Sequence, residues 1–190
     1  IREAITTLLL ADAEQVPHSV DEEGIVHNER PCHYYYVTPG HQVPNGVTMS
    51  SARRRQLLEH AARHDAVIIE DDYDSESNFP LNPLPSLKAS DRSGRLVYVS
   101  SLSKALSPGL RLGFMVADPD LIDEARALRR LVYRHPPTNI QYQMAHFLAQ
   151  GHYETHLRRY PYDSAQRWER LHAALQRYLP SCRALAGSEH

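Results

Sequence analysis

Lys104 is the residue around which a reaction could be built. It lies in the stretch Leu96 to Val116, LVYVSSLSKALSPGLRLGFMV, just past the apolar run Leu96-Val97-Tyr98-Val99. Ser101, Ser103 and Ser107 flank it and Arg111 follows seven residues on. Hydroxyls and a permanent cation can therefore converge on one anion beside a single primary amine. That set suits a phosphorylated aldehyde, with the amine attacking the carbonyl to give a Schiff base. The amine must lose its proton to attack, which a partly desolvated pocket and a neighbouring guanidinium favour. Taken alone, S-x-S-K could equally be a surface lysine in a serine-rich loop.

A second cluster shifts that balance. Glu70-Asp71-Asp72-Tyr73-Asp74-Ser75-Glu76 follows the apolar run Val67-Ile68-Ile69. In doubly wound sheets ligands bind beyond the C-terminal ends of the strands, so Asp71 and Lys104, each just past its own strand, can face one crevice. A carboxylate against a pyridine nitrogen keeps that nitrogen protonated, and the charged ring becomes a sink for electrons released from a substrate carbon. A phenol such as Tyr73 can hydrogen-bond a 3-oxygen on the ring. By itself the acidic run could also be a solvated turn.

The elements that must position these groups are legible in outline. The unalternating run at Leu96 to Val99 reads as a strand buried on both faces of a parallel sheet. Tyr34 to Thr38 predicts another strand, stopped by Pro39 and Gly40. Gly40-His41-Gln42-Val43-Pro44-Asn45-Gly46 follows as a loop in which His41, Gln42 and Asn45 offer hydrogen bonds. Ser50 suits an N-cap for a helix from Ser51 to about His64, with Leu57, Leu58, Ala61 and Ala62 as its buried stripe. Val67 to Ile69 is then a buried strand, completing the αβ alternation of an open parallel sheet. At the start, Ile1 to Ala13 reads as the end of a helix carrying Ile5, Leu8 and Leu9, Val16 to Val20 as a weak strand, and Asp21 to Gly24 as a turn. Downstream, a helix is expected from Asp120 to about Tyr133, with Leu121, Ile122, Ala125, Leu128 and Leu131 or Val132 on its apolar face. A break at Arg134 to Asn139 precedes a helix from Gln141 to Gln150 that ends at a C′ glycine, Gly151. An amphipathic run from Tyr153 to Tyr178, interrupted by Pro161, follows.

Three stretches carry a family resemblance: EDDYDSE, the S-x-S-K-x-L-x-P-G-L-R-L-G block from Ser101 to Gly113, and TPGHQVPNGVTMS. Together they resemble the aminotransferase-like domain of MocR-type regulators of the GntR superfamily, relatives of the fold-type-I pyridoxal 5'-phosphate (PLP) aminotransferases. The resemblance implies an α/β fold, the large domain of a fold-type-I PLP-dependent transferase, with a mostly parallel sheet flanked by helices and Gly113 to Ala117 as its antiparallel strand. It implies that Lys104 holds the cofactor as a Schiff base and that Asp71 binds the pyridine nitrogen. Tyr73 would contact the 3-oxygen, and Ser101, Ser103 and Arg111 the phosphate. Aminotransferases usually place Asn where Val43 stands, so His41 or Gln42 would take over its contact with the ring oxygen. Leu102 stands where a Phe is more familiar.

The resemblance also implies that residues 1–150 form part of the PLP-binding large domain and that residues 151–190 form a helical segment leading toward the small domain. The chain would be a fragment. The early phosphate-binding loop, the stacking aromatic and a winged helix-turn-helix are expected upstream, and the arginine for a substrate carboxylate downstream. The implied function is an effector domain that senses a small amino compound, an amino acid or PLP itself, working as a homodimer and meeting DNA only through the upstream helix-turn-helix. The alternative is part of a free-standing aminotransferase, in which Lys104 also moves the α-proton.

Composition sets bounds on both readings. At 190 residues the chain can build one sizeable core, and with a formal net charge of −2 and interspersed acids and bases it carries no nucleic-acid footprint of its own. Cys32 and Cys182 fit no ligand pattern, which points to a reducing, cytoplasmic setting, and no apolar run reaches the length of a membrane span. Twelve histidines invite a metal reading. His60 and His64, and His152 and His156, are spaced to share a helix face, but no third ligand is suggested. His152-Tyr-Glu-Thr-His156 also places its glutamate one position later than H-E-x-x-H requires.

Overall fold

The computed structural model describes residues 11–26, 30–74, 84–135 and 137–181. Ile5, Leu8 and Leu9 of the expected first helix lie outside them, as do Ser75, Glu76 and Cys182. The chain opens with a small antiparallel hairpin, β1 (Val20–Asp21) and β2 (Gly24–Ile25), turning where Asp21 to Gly24 was expected to turn. The main sheet then takes β3 (Tyr34–Val37), β4 (Val67–Asp72), β5 (Leu96–Ser101) and β6 (Gly113–Val116) in that spatial order. β3, β4 and β5 run parallel and β6 runs antiparallel to β5. This is the expected mostly parallel sheet with its one reversed strand.

Helix α1 (Ser51–Arg63) crosses from β3 to β4, and the Ser50 side chain accepts a hydrogen bond from the Arg53 amide as its N-cap. Its inner face holds Leu57 and Ala61 together with Arg54 and His60, while Ala62 is exposed, contrary to the expected stripe. Both polar residues have interior partners. Arg54 donates to the carbonyls of Met49 (2.9 Å), Pro85 (2.7 Å) and Pro39 (3.1 Å). His60 Nε2 lies 2.9 Å from the Tyr35 hydroxyl. A buried polar group survives only when so paired.

The core packs Tyr35, Val37, Met49, Leu57, Ala61, Ile68, Leu87 and Leu96. Tyr35, Ile68 and Leu96 occupy facing register positions and line the side of the sheet that receives α1. The other side carries Tyr36, Ile69, Asp71 and Val99, which are only half buried. Val97, opposite Ile69 on this second side, is buried, so β4 and β5 are fully covered on one face and partly on the other by the described residues, where burial on both was expected.

β4 continues through the acidic residues instead of ending at Ile69. Glu70 is 1% exposed and accepts from the Leu87 amide (2.7 Å) and the Lys88 amide (2.9 Å). It thereby caps the short helix α2 (Leu87–Ser90). Burial pushes the Glu70 carboxyl above its ordinary range, and those two amides pull it back.

Beyond β6 come α3 (Pro119–Tyr133), α4 (Thr138–Ala149) and α5 (His152–Tyr178). Asp118 caps α3 through the Asp120 amide, and Gly151 ends α4 in a left-handed conformation at φ +69°. α4 starts three residues earlier than expected, at Thr138. α5 runs unbroken past Pro161, where an interruption was expected. Proline removes a single intrahelical bond, and the turns on either side carry the helix across it.

Candidate functional site

The parallel strands deliver their acidic and hydroxyl residues to one end of the sheet. Successive residues of a strand face opposite sides, so Asp71 and Asp72 diverge. The Tyr36 hydroxyl of β3 donates to Asp71 Oδ2 on the open face. The Tyr98 hydroxyl of β5 donates to Asp72 Oδ2 at 2.7 Å on the core face, and the Ser100 hydroxyl donates to the Asp72 carbonyl at 2.8 Å. Burial, reinforced by the bonded carboxylate, holds the Tyr36 and Tyr98 hydroxyls well above the ordinary phenol range. Both phenols therefore stay protonated and act as donors that fix their acids.

Lys104 sits on a loop closed at its base. Ser101 pairs with Gly113 across β5 and β6, and the Leu102 amide donates to the Leu112 carbonyl at 3.0 Å. Within this loop the Ser103 amide donates to the Ser101 hydroxyl at 3.2 Å. Arg111 takes a left-handed conformation at φ +48° where the turn Pro108–Leu110 meets the return strand. Its side chain is exposed and has no hydrogen-bond or ion-pair partner among the described residues. Ser101, Ser103, Lys104 and Arg111 are thus gathered on one closed loop.

The Lys104 amine is 4.4 Å from the centroid of the Tyr73 ring and 3.8 Å from Asp74 Oδ2, with its side chain 53% exposed. Its immediate company is a π face and a carboxylate, where the expectation was a guanidinium and desolvation. Tyr73 in turn donates its hydroxyl to the His41 carbonyl at 3.1 Å, and His41 Nδ1 lies 3.8 Å from Asp74 Oδ2. Burial first, then the charges of Asp74 and Asp71, raise the Tyr73 hydroxyl above its ordinary value. Asp71, at the end of β4 two residues before Tyr73, stands beside the ring that Lys104 covers.

The loop 39–49 brings His41 to this place. It is pinned by the Met49 amide on the Pro39 carbonyl (2.9 Å), the Gln42 amide on the Val47 carbonyl (2.8 Å) and the Thr48 hydroxyl on the Gly40 carbonyl (2.8 Å). Arg54 clamps both ends of the loop through the same Pro39 and Met49 carbonyls. Gln42 turns the other way: its Oε1 lies 2.8 Å from where a Cβ on Gly24 would be, against the hairpin. His41 faces the Lys104 side and Gln42 does not.

Tyr36, Tyr98, Asp74 and Arg54 were missed by motif reading. Tyr36 and Tyr98 could have been found from strand pairing, since each acid lies two residues beyond the register partner of its tyrosine, on the same face. Arg54 carried no signal, being one arginine of three in a row. Of the two histidine pairs, His60 and His156 are engaged elsewhere, with Tyr35 and the Ala105 carbonyl, and His152 meets Gln150.

Residues 37–185 match the family described as aminotransferase class I and II. The chain belongs to the class I and II aminotransferase family. Within it, the chain is 43% identical over 144 residues to the HTH-type transcriptional regulator TauR of Rhodobacter capsulatus, covering 75% of this chain and 30% of the relative. It is 37% identical over 179 residues to the probable rhizopine catabolism regulatory protein MocR of Rhizobium meliloti, covering 93% and 36%. It thus spans about a third of the curated relatives it matches. Among solved structures it resembles LysN, the alpha-aminoadipate aminotransferase of Thermus thermophilus complexed with N-(5'-phosphopyridoxyl)-L-leucine. The TM-score is 0.82 at 30% identity, covering 94% of this chain and 48% of that one. The multiple substrate aminotransferase of Thermococcus profundus gives 0.83 at 28% identity, covering 93% and 47%. This chain is an aminotransferase-like domain with regulators among its relatives, and it amounts to less than half of the solved aminotransferase chains.

Proposed function

We propose that this chain is the cofactor-holding part of a MocR-type transcriptional regulator, with PLP attached covalently to Lys104. The observation that carries the reading is the amine of Lys104 over the Tyr73 ring, at the sheet end that also presents Asp71. The donor set fits that group. A nucleophilic amine, a carboxylate held by a phenol, and two serines with an unpaired guanidinium on one closed loop match its aldehyde, ring nitrogen and phosphate. When bound, PLP supplies an electrophilic carbon and a protonated ring that withdraws electrons.

The chain's own residues divide the remaining work. Tyr36 orients Asp71, whose carboxylate takes the ring nitrogen. Tyr73 and His41 would offer the contacts to the ring 3-oxygen, with Gln42 left to stabilise its loop. Ser101, Ser103 and Arg111 take the phosphate, and Lys104 Nζ holds or moves the proton at the reacting carbon. Residues 1–150 then belong to the PLP-binding domain, and residues 151–190 lead to the rest of the protein. The regulator relatives support contact with DNA through a helix-turn-helix outside this segment, and the same reading makes the whole protein a cytoplasmic homodimer that senses an amino compound. Among the described residues no helix is long and apolar enough to cross a membrane.

The test is made on the full-length protein. Adding PLP should produce a visible absorbance band that Lys104→Ala abolishes, and an electrophoretic shift assay should detect binding to DNA from its own promoter. An unchanged band in Lys104→Ala would overturn the cofactor assignment. Robust transamination without DNA affinity would favour the free-standing enzyme.

A further inference from the structure

We propose that His156, on α5, is a positioning residue for Lys104, acting through a hydrogen bond to the backbone one residue beyond the amine. His156 Nε2 lies 2.6 Å from the Ala105 carbonyl, across 51 residues of sequence. A carbonyl only accepts, so the ring is protonated at Nε2 and donates. Ala105 is 3% exposed and Leu102 8% exposed, so the turn is anchored in the interior on both sides of a lysine whose own side chain points outward. The Leu106 amide on the Leu102 carbonyl (3.2 Å) and the Leu102 amide on the Leu112 carbonyl (3.0 Å) close it from within the loop. His156 supplies the tie from outside. Its ring is steadied by Tyr160, one helical turn on, at 5.7 Å between centroids.

The inference rests on the covalent attachment of PLP to Lys104. Condensation is fast only when the nitrogen approaches the reacting carbon in a near-attack geometry. The Lys104 side chain is half exposed and touched by one carboxylate at 3.8 Å and one ring face, so its tip is lightly held. Placement must come from the root of the side chain, and the Ala105–Leu106 peptide, one beyond the peptide that follows Lys104, is what α5 grips. Any displacement of α5 would pull on that peptide, which ties the direction of the amine to the helix that leads out of this segment.

The experiment uses the full-length protein, its His156→Leu and His156→Gln variants, and PLP as the probe. Gln places an N–H donor near the position of Nε2 and Leu does not. The readouts are the rate at which the Lys104-dependent band grows, its wavelength, and the thermal midpoint of the cofactor-free protein. Leu should slow attachment about tenfold, the scale of one lost part-buried hydrogen bond, and Gln should restore it to within about twofold. If the Leu variant does not fold, His156→Ser, too short to reach the carbonyl, takes its place. Attachment at the wild-type rate in Leu or Ser, or equal slowing in Gln and Leu, overturns the role of His156 while leaving the cofactor reading intact. A wild-type protein without any Lys104-dependent band would overturn both.

Discussion

Asp74 is the side chain that competes most directly for the amine of Lys104. Their separation is 3.8 Å with the lysine side chain 53% exposed, and an ion pair in such a setting is worth about 0–1 kcal/mol. Asp74→Asn should therefore leave the unfolding midpoint almost unchanged. The freed amine should accept PLP faster, by up to about fivefold, read as the growth of the Lys104-dependent band. His60 carries a different kind of charge effect. Burial, then the neighbouring His64, Arg63 and His18, lower its pKa from the ordinary 6.5. A histidine kept neutral by the fold contributes stability that is complete above pH 6.5 and is lost as the pH falls through the lowered value. Urea midpoints should drop between pH 7 and the acid side of that window, and His60→Gln should flatten this part of the profile. The motif residues Lys104, Asp71 and Tyr73 were legible because their types are chemically scarce in combination. Arg54 and His60 were not, because a polar residue on a helix reads as solvent-facing until its interior carbonyl or hydroxyl partner is known.

The closed loop between β5 and β6 depends on a glycine. A Cβ on Gly113 would lie 2.7 Å from the Ser100 carbonyl oxygen, a backbone atom with no freedom to withdraw. Gly113→Ala should push the two strands apart where Ser101 and Gly113 pair, at a cost of about 1–3 kcal/mol in chemical denaturation. It should also weaken PLP retention more than its stability loss alone accounts for, since the base of the Lys104 loop is strained directly. Strand and helix identities were readable from hydrophobic runs and from Ser50 as a cap. The length of β4 was not, because Glu70, Asp71 and Asp72 are polar residues in a strand. They are held there by two amides of α2, by Tyr36 and by Tyr98, and none of those partners is adjacent in sequence. The unbroken α5 likewise rests on the helical turns flanking Pro161, which a proline in the sequence does not disclose.

As a whole, the segment is well packed on one side of its sheet and only partly covered on the other. No residue of α3 is buried, and Leu128, Leu131, Val132 and Tyr133 are 63%, 84%, 61% and 75% exposed. Contiguous apolar surface of this kind promotes association, so residues 1–190 expressed alone should self-associate with rising concentration in light scattering. The full-length protein should do so less. The amphipathic pattern of α3 was legible, but which of its neighbours cover it was not, because a periodicity names a face without naming what lies against it. The alternation along β4 has a consequence for how this protein can vary. Glu70 and Asp72 serve the interior while Asp71 serves the crevice, so deleting one residue upstream in the strand would swap the inward and outward sets and unseat α2 together with the ring-facing acid. A change in the length of this strand keeps both sets in place only in even steps, or where it is confined to the loops outside it.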